Sequence, residues 1–418
     1  MIDIKLIREH PEIVKESNKK RGYSTEEVDN LLKLDKEWRD LKEEVDKLRS
    51  RRNKISEEIN LAKKQGRNAK EIIEEAKAIP GKLADKEKLM KEKEESREKI
   101  WREIPNIIDK SVPVGDATKN KVVESHGKTK KQQEGHAEIM EALDLIDTQK
   151  ASDVAASRFY YLKGDLVRLN QAIINYALDF LKKKGFTLMQ PPYMLRKEIL
   201  EGALPFGAFG EMIYKIQDED LYLIGTAEHA LNAYHFNETI ELPKRYAGFS
   251  SCFRKEAGAH GKDTKGIFRI HQFEKVEQFV FCKPEDSWKE FDLILNNTKE
   301  MFKAMEIPFR LIVLASGDTG RVPTKTIDFE GWFPSQNDYR ELASCSNCLD
   351  YQAIRSNIKY MDKGELKFAN TLNNTAIATE RMMCCIVENN VQKDGSIKIP
   401  KALWKYTGFK KIESKKKK

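Results

Sequence analysis

Apolar residues recur at heptad spacing in the first part of this chain. From Leu31 to Ala62 they alternate steps of three and four, which is the a/d pattern of a coiled-coil helix. Nine of the ten positions in this pattern are apolar, and Arg52 is the single polar one. The pattern predicts one long helix that buries a narrow apolar stripe against a partner helix.

The heptad pattern stops at a basic turn, residues 63–68 (KKQGRN), in which Gly66 breaks the helix. A second and less regular helical pattern runs from Ile72 to Ile100, and we expect Pro80 to kink it or to delay its start. Two helices joined by a short turn predict an antiparallel hairpin over about 27–104. Thirty helical residues span about 45 Å, so this arm should project from any globular body.

Helix-breaking residues mark the end of the predicted arm. Pro105 ends the second helical pattern, and residues 111–116 (SVPVGD) resemble a linker. We therefore predict two domains, 1–110 and 111–418. The second mixes short β-rich runs with helical ones and ends in a basic tail, 415–418, which we expect to be a disordered solubilising end.

Composition excludes several classes of protein. Of 418 residues, 40% are hydrophobic and 34% are charged, with a net charge of +8. The hydrophobic content is too high for a disordered chain, and no apolar run reaches the roughly 18–20 residues that span a bilayer. The N-terminus lacks a secretory signal, and six cysteines are too few for a disulfide scaffold. We expect a soluble cytoplasmic protein.

The tip of the predicted arm is basic. Such side chains give salt-dependent phosphate contacts, which favours an arm that lies along a polyanion. A dimerisation coiled coil and a solvated charged spacer explain the same pattern equally well. The candidate contacts are Arg49, Arg51, Arg52, Lys54, Lys63, Lys64, Arg67 and Lys70.

Two predicted strands carry the most informative chemistry. Residues 249–256 and 268–279 are strand-like, and a polar, glycine-rich loop, 257–266, joins them. Arginines can neutralise phosphate, an aromatic ring can stack on a base, and a carboxylate can bind an ammonium group. A salt-bridged exposed sheet face is the alternative. On alternating positions the shared face carries Arg254, Glu256, Arg269, His271, Phe273, Lys275 and Glu277.

The stretch FRKEAGAHGKDTKGIFRIHQFEKVE resembles motif 2 of class II aminoacyl-tRNA synthetases, and more narrowly that of seryl-tRNA synthetases. SRFYYLKGDLVRLNQAIINYALDFLKKKGFTLMQPPYM is similar to motif 1, IGTAEHAL to the amino-acid-binding segment, RELASCSNC to the metal and ATP segment, and TLNNTAIATERMM to motif 3. The resemblance covers nearly the whole chain. It implies an α+β fold, an antiparallel sheet flanked by helices with an N-terminal coiled-coil arm, and a homodimer through motif 1.

The resemblance also implies residue roles. Arg254 and Glu277 would be catalytic, and Arg254 would hold both the α-phosphate of ATP and the serine carboxylate. The other implied ATP contacts are Glu256, Phe268, Arg269, Phe273, Glu341, Ser344 and Arg381, with Glu341 and Ser344 also holding Mg²⁺. The implied serine-binding residues are Thr226, Glu228, Arg254, Glu277, Asn373 and Thr375. The implied tRNA contacts are Arg51, Arg52, Lys54, Lys63, Lys64 and Arg67.

The implied reaction has two steps. Serine and ATP form seryl-adenylate and pyrophosphate, and the seryl group then passes to the 3′ end of tRNA(Ser), with tRNA(Sec) as a second candidate substrate. Positioning and charge stabilisation carry most of such a reaction. Two alternatives stay open: a class II synthetase for another amino acid, and a binding or regulatory paralogue without charging activity.

Some residues depart from the family pattern. Thr375 lies where a glycine-flanked serine is typical, and Glu380 places a carboxylate beside Arg381, a version closer to some archaeal and eukaryotic members. Glu341 and Ser344 are three apart, so they share a face only if a bulge or a strand end lies between them.

We expect no zinc site. Cys345 and Cys348 form a lone CxxC that lacks two further ligands. Cys384 and Cys385 lie in an apolar helical run and are expected in the core. The histidines near the motifs, His229, His260 and His271, have no metal-ligand spacing.

Overall fold

The computed structural model describes residues 1–256 and 265–414; of residues 208 and 209 it describes the backbone alone. Most of the predicted polar loop, with His260, and the predicted basic tail lie outside the described residues. Contacts between residues divide the chain into two units. The helical unit comprises residues 2–19 and 23–105, and the sheet unit comprises residue 1, residues 20–22 and the described chain from 106 onward.

The helical unit is built around two long antiparallel helices. Its helices are α1 (Ile4–Glu9), α2 (Pro11–Lys20), α3 (Glu26–Lys64) and α4 (Lys70–Glu103). Gly66, between α3 and α4, has a φ of +66°, which glycine adopts without strain. The helix α4 runs through Pro80 without interruption, so the idea that Pro80 delays its start was wrong. A proline removes one helical hydrogen bond, and the long flanking segments keep theirs.

The predicted heptad stripe of α3 is confirmed. Leu31, Val45 and Ile55 are buried, while Arg52, the polar member of the series, is exposed. Arg49 reaches Glu87 at 2.7 Å and Lys93 reaches Glu37 at 2.6 Å, an order along the two helices that only an antiparallel pair gives.

A buried carboxylate lies within this stripe. The Asp35 side chain is 1% exposed and contacts Arg8 at 2.8 Å, Arg39 at 3.1 Å and Arg97 at 3.1 Å. The Arg97 guanidinium carbon lies 4.0 Å from the centre of the Trp38 ring. Burial opposes ionisation, but the hydrogen bond and charge of Arg8 keep the pKa of Asp35 below its ordinary value.

The sheet unit mixes strands and shorter helices. Its strands are β1 (Lys121–His126), β2 (Ile146–Asp147), β3 (Tyr161–Leu162), β4 (Thr187–Met189), β5 (Met194–Leu195), β6 (Tyr222–Leu223), β7 (Lys244–Phe253), β8 (Gln272–Cys282), β9 (Phe309–Val313), β10 (Lys325–Phe333), β11 (Asp338–Leu349), β12 (Lys359–Asp362), β13 (Glu365–Phe368), β14 (Asn370–Ala378), β15 (Ile397–Lys398) and β16 (Lys411–Ile412). Its helices are α5 (His136–Ala142), α6 (Thr148–Val154), α7 (Asp165–Lys183), α8 (Lys197–Ala203), α9 (Phe206–Phe209), α10 (Ala227–Ala233), α11 (Ser287–Ala304), α12 (Tyr351–Ser356), α13 (Thr379–Asn390) and α14 (Trp404–Thr407). Within the described residues, no helix combines the length and the apolar character needed to cross a membrane.

One sheet organises this unit. Among the described residues, eight strands pair in the order β1-β9-β10-β11-β14-β8-β7-β4. All neighbours are antiparallel except β4 and β7. Val280 of β8 faces a core shared with α7, α11 and α13, whereas its neighbours Phe279 and Phe281 face α10 and α12. Helices therefore cover both faces, and the predicted α+β class is confirmed.

The two strands around motif 2 are shorter than predicted. β7 ends at Phe253, and β8 begins at Gln272, so Arg254 and Arg269 lie outside both strands. Glu256 has a φ of +49°, which ends the extended conformation. Period two therefore places only Phe273, Lys275 and Glu277 of the predicted set on a common strand face.

Candidate active site

A polar cavity, the first cavity, opens where β7 ends beside β8, β11, β14 and the start of α13. It brings together seven of the eight residues that the resemblance assigned to ATP, whereas Ser344 is not part of its lining. Those seven are Arg254, Glu256, Phe268, Arg269, Phe273, Glu341 and Arg381.

Cationic side chains and aromatic rings alternate in the first cavity. Arg269 pairs with Glu256 at 2.9 Å. The guanidinium carbon of Arg254 lies 5.2 Å from the centre of the Phe273 ring, and that of Arg381 lies 5.1 Å from Phe268. Such a surface can hold a flat base on a ring and polyphosphate oxygens on the arginines.

Glu380 points away from Arg381. Its carboxylate accepts hydrogen bonds from the Tyr160 hydroxyl at 2.6 Å and from the Glu274 backbone N–H at 3.0 Å. Arg381 instead lies 3.3 Å from the Glu341 carboxylate. Burial raises the pKa of Glu380 to about 7. The carboxylate that the sequence places beside Arg381 thus belongs to a separate network.

The bulge expected between Glu341 and Ser344 is present. Phe329 pairs with Ala343 and Glu330 with Glu341, which leaves Leu342 as the extra residue. Glu341 is half-exposed. Partial burial opposes the ionisation of its carboxyl group, but the charges of Arg381 and Arg254 lower its pKa.

A residue that sequence reasoning missed lies opposite Ser344. Asp328 of β10 pairs with Ser344 across the ladder and is 9% exposed. Its Oδ1 atom has no hydrogen-bond partner among the described residues. Those residues hold no group of three or more His, Cys, Asp or Glu side chains arranged for a metal.

A second cavity of about 230 Å³ adjoins the first. Thr226, Glu228, Arg254 and Asn373 line it, and Arg254 borders both cavities. Thr226 caps α10 by accepting from the Glu228 N–H at 3.2 Å, which fixes both residues at the start of that helix.

Two buried carboxylates belong to the second site. Glu228 accepts from Gln352 at 2.7 Å and from Asn373 at 3.1 Å. Burial and the charge of Glu277 raise the pKa of Glu228 to about 7. Glu277 lines neither cavity; it is 1% exposed and ion-paired with Lys275.

Thr375 connects the buried pair to the first cavity. Its hydroxyl lies 3.4 Å from both the Glu277 carboxylate and the Lys275 ammonium group, and its side chain lines the first cavity. Burial raises the pKa of Glu277, although Lys275 partly offsets this. The site thus combines a guanidinium, an ammonium, two carboxylates and a hydroxyl in a small volume.

Comparison with known proteins decides the family. The family model described as the seryl-tRNA synthetase N-terminal domain matches residues 1–108, and the tRNA synthetase class II core domain (G, H, P, S and T) matches residues 214–390. A serine–tRNA ligase of Pyrococcus abyssi is 46% identical over 99% of this chain and 97% of its own. The chain belongs to the seryl-tRNA synthetase family. Another serine–tRNA ligase, from Cenarchaeum symbiosum, is 52% identical over 74% of this chain and 76% of its own.

Solved structures agree with the family assignment. The seryl-tRNA synthetase of Pyrococcus horikoshii, complexed with ATP, superposes with a TM-score of 0.94 at 43% identity, over 99% of this chain and 100% of that one. A cytoplasmic serine–tRNA ligase of Naegleria fowleri, in complex with AMP, superposes with a TM-score of 0.88 at 37% identity, over 99% of both chains. The prolyl-tRNA synthetase of Giardia lamblia, at 14% identity and 0.57, covers 66% of this chain and 57% of its own and shows the fold alone.

The basic residues predicted on the arm differ in their surroundings. Arg51 is held by Glu58 at 2.9 Å and by Glu75 at 2.7 Å. Lys63 and Lys64, at the end of α3, are exposed and form no ion pair with any described residue; the same holds for Arg52, Lys54 and Arg67.

Several residues of the site were given no role from the sequence. Gln352 and Lys275 contact the predicted serine-site carboxylates, and His229 lines the second cavity. Period two placed Lys275 on the same face as Glu277, which was the signal for their contact. The four cysteines of the two pairs are buried free thiols, and the core position predicted for Cys384 and Cys385 is confirmed.

Proposed function

We propose that this chain activates L-serine with ATP and transfers the seryl group to the 3′ end of tRNA(Ser). The observation that carries the proposal is the junction of the two cavities at Arg254. One side is rich in arginine and aromatic rings, and the other is lined by the buried carboxylate of Glu228 with Thr226 and Asn373. Serine joined to an adenylate needs both surroundings, with its reacting carboxylate and phosphate at the junction.

Adenylate formation is a displacement at the α-phosphate. Arg254 stabilises the negative charge that develops there while it holds the serine carboxylate in line. Phe273 offers the ring on which adenine stacks, Glu256 accepts from the adenine amino group, and Phe268, Arg269 and Arg381 flank the phosphates. The distances among these side chains support this assignment.

Serine is the substrate that suits the second cavity. Glu228 and Glu277, with Thr226, would receive the ammonium and hydroxyl groups, and Asn373 and Thr375 complete the polar surroundings. Alanine would leave these buried groups without partners, whereas discrimination against the additional methyl group of threonine is intrinsically weaker.

The family implies Mg²⁺, and the oxygen donors fit it. Glu341 and Ser344 would hold the ion with ATP, and the unpartnered Oδ1 of buried Asp328 lies across the ladder from Ser344. When bound, a divalent cation would neutralise charge on the ATP phosphates. No zinc site is proposed.

The arm is proposed to bind tRNA. Basic side chains near its tip, Arg52, Lys54, Lys63, Lys64 and Arg67, are free to meet phosphate, whereas Arg51 must first leave its carboxylates. We further propose a cytoplasmic homodimer through motif 1, with tRNA(Sec) as a second candidate substrate for the same charging assay.

Pyrophosphate exchange with each amino acid in turn tests the proposal. Exchange that depends on serine alone supports it, and exchange with another amino acid supports a different synthetase. No exchange with any amino acid would indicate a paralogue without activity. Charging of tRNA(Ser) and tRNA(Sec) transcripts then defines the RNA substrates, and gel filtration that shows an active monomer would refute the dimer.

A further inference from the structure

A short loop, residues 320–323, forms one wall of the second cavity. Val322 and Pro323 lie in its lining beside Thr226, Glu228 and Asn373. None of the motifs that identified the site contains this loop. The position of this wall nevertheless sets how much room a substrate has next to Glu228.

Two residues, Arg21 and Asn106, donate hydrogen bonds to the backbone of this loop. Arg21 donates to the carbonyl oxygens of Gly320 and, at 2.5 Å, of Pro323. Asn106 donates through its backbone N–H to Arg321 at 2.8 Å and through Nδ2 to Val322 at 2.9 Å. All four carbonyls of the loop are thus bound by two residues, which we call the carbonyl clamp.

The carbonyl clamp is internally tied and buried. Arg21 Nε donates to the backbone carbonyl of Asn106 at 2.9 Å, and the two residues are 4% and 3% exposed. Asn106 Nδ2 also donates to the carbonyl of Cys348 at 2.8 Å, and Cys348 lines the same cavity. Two separate parts of the pocket wall therefore depend on one amide group.

We propose that Arg21 and Asn106 are positioning residues that set the serine pocket through loop 320–323, and thereby its affinity for serine and its discrimination against threonine. The inference rests on the proposed serine activation. Neither side chain lines either cavity, so both act through the loop. The clamp residues lie where the sheet unit joins the helical unit in sequence, at 20–22 and at 106.

Asn106→Asp is the sharpest test, because it keeps the size of the side chain and replaces the amide donor by a carboxylate that faces two carbonyls. We expect the KM for serine to rise by about tenfold, as removal of a partner from buried acceptors implies. The KM for ATP should stay within about twofold, and the preference for serine over threonine should fall. Arg21→Lys, which keeps the charge but not the forked geometry, should act in the same direction.

Asn296→Asp provides the matched control, since Asn296 is exposed on α11 of the same unit. It should change neither KM. An unchanged KM for serine in Asn106→Asp, or an equal rise in both KM values, would overturn the inference. Absence of serine-dependent exchange in the parent chain would instead refute the proposed function. Hydrogen exchange tests whether the carbonyl clamp holds the loop in place. The Thr324 amide donates to the Asn347 carbonyl at 2.8 Å and should exchange faster in Asn106→Asp than in the parent chain. Equal exchange rates in the two proteins would refute the positioning role.

Discussion

Replacing Glu380 by glutamine should stabilise the protein at pH 8. The carboxylate is 1% exposed, and burial raises its pKa to about 7 from an ordinary value of 4.5. A group with a raised pKa in the folded state contributes its full stability below about pH 4.5, and this is lost as the pH rises to about 7. Above pH 7 the parent chain therefore carries a buried charge that glutamine does not.

The size of the effect follows from the pKa difference. A difference of about 2.5, at about 1.4 kcal/mol for each pH unit, amounts to about 3 kcal/mol. Glutamine keeps one oxygen that can accept from Tyr160 and from the Glu274 N–H, but its NH2 group cannot accept from the Thr379 hydroxyl as the second carboxylate oxygen does at 3.0 Å, which costs about 1 kcal/mol. We expect Glu380→Gln to gain about 2 kcal/mol at pH 8 and nothing at pH 4.5.

Urea unfolding of the parent and of Glu380→Gln between pH 4.5 and pH 8 measures this difference. Tyr160→Phe is the matched control, because it removes the hydroxyl that donates to the ionised carboxylate. It should destabilise the protein more at pH 8 than at pH 4.5. A stability difference between parent and Glu380→Gln that does not change with pH would refute the reasoning.

Four further outcomes test separate parts of the molecule. Arg254→Ala should lower serine-dependent pyrophosphate exchange by about a hundredfold or more, and normal exchange would refute its role. Deletion of residues 30–100 should spare exchange but cripple tRNA charging, whereas equal loss of both would contradict a dedicated RNA arm. Asp35→Asn should destabilise the helical unit by about 3 kcal/mol in thermal melting, because three arginines lose their buried partner; an unchanged melting temperature would contradict this. The KM for serine should fall as the pH rises through about 7, because the ionised form of Glu228 binds an ammonium group; a KM that is constant from pH 6 to pH 8 would count against that contact.

Periodicity predicted the arm well because a coiled coil is a local pattern repeated along one helix. The same reasoning missed Asp35, since a charged residue next to the stripe is expected to face solvent. Arg39, four residues away, is a local partner, but Arg8 and Arg97, which complete the compensation of its burial, are 27 and 62 residues away in sequence. No local pattern contains that information.

Around motif 2, periodicity instead predicted more regular structure than is present. Arg254, Glu256 and Arg269 continue the alternation of the neighbouring strands, so periodicity predicted both strands to extend beyond their ends. Alternation of side chains does not report where the backbone leaves the extended conformation, and the positive φ of Glu256 is set by tertiary structure. The motif resemblance nevertheless grouped seven side chains that line one cavity, because it depends on residue identity and order.

Arg254 lies between two groups of charged side chains in the site. The first cavity gathers Arg254, Arg269 and Arg381 against the carboxylates of Glu256 and Glu341, so its cations have further capacity for an anion such as a triphosphate. Next to it, the buried carboxylates of Glu228 and Glu277 lie with Lys275, and Arg254 lines the second cavity as well. Burial, and after it the charge of Glu277, raises the pKa of Glu228, and the charge of Lys275 opposes this. With both carboxylates ionised, these three groups carry one net negative charge. One ammonium group balances that charge. Under the proposed function, the ammonium group of serine and the triphosphate of ATP satisfy the two sides together. The bond between the serine carboxylate and the α-phosphate would then form beside Arg254 as the bond from the α-phosphate to the departing pyrophosphate breaks.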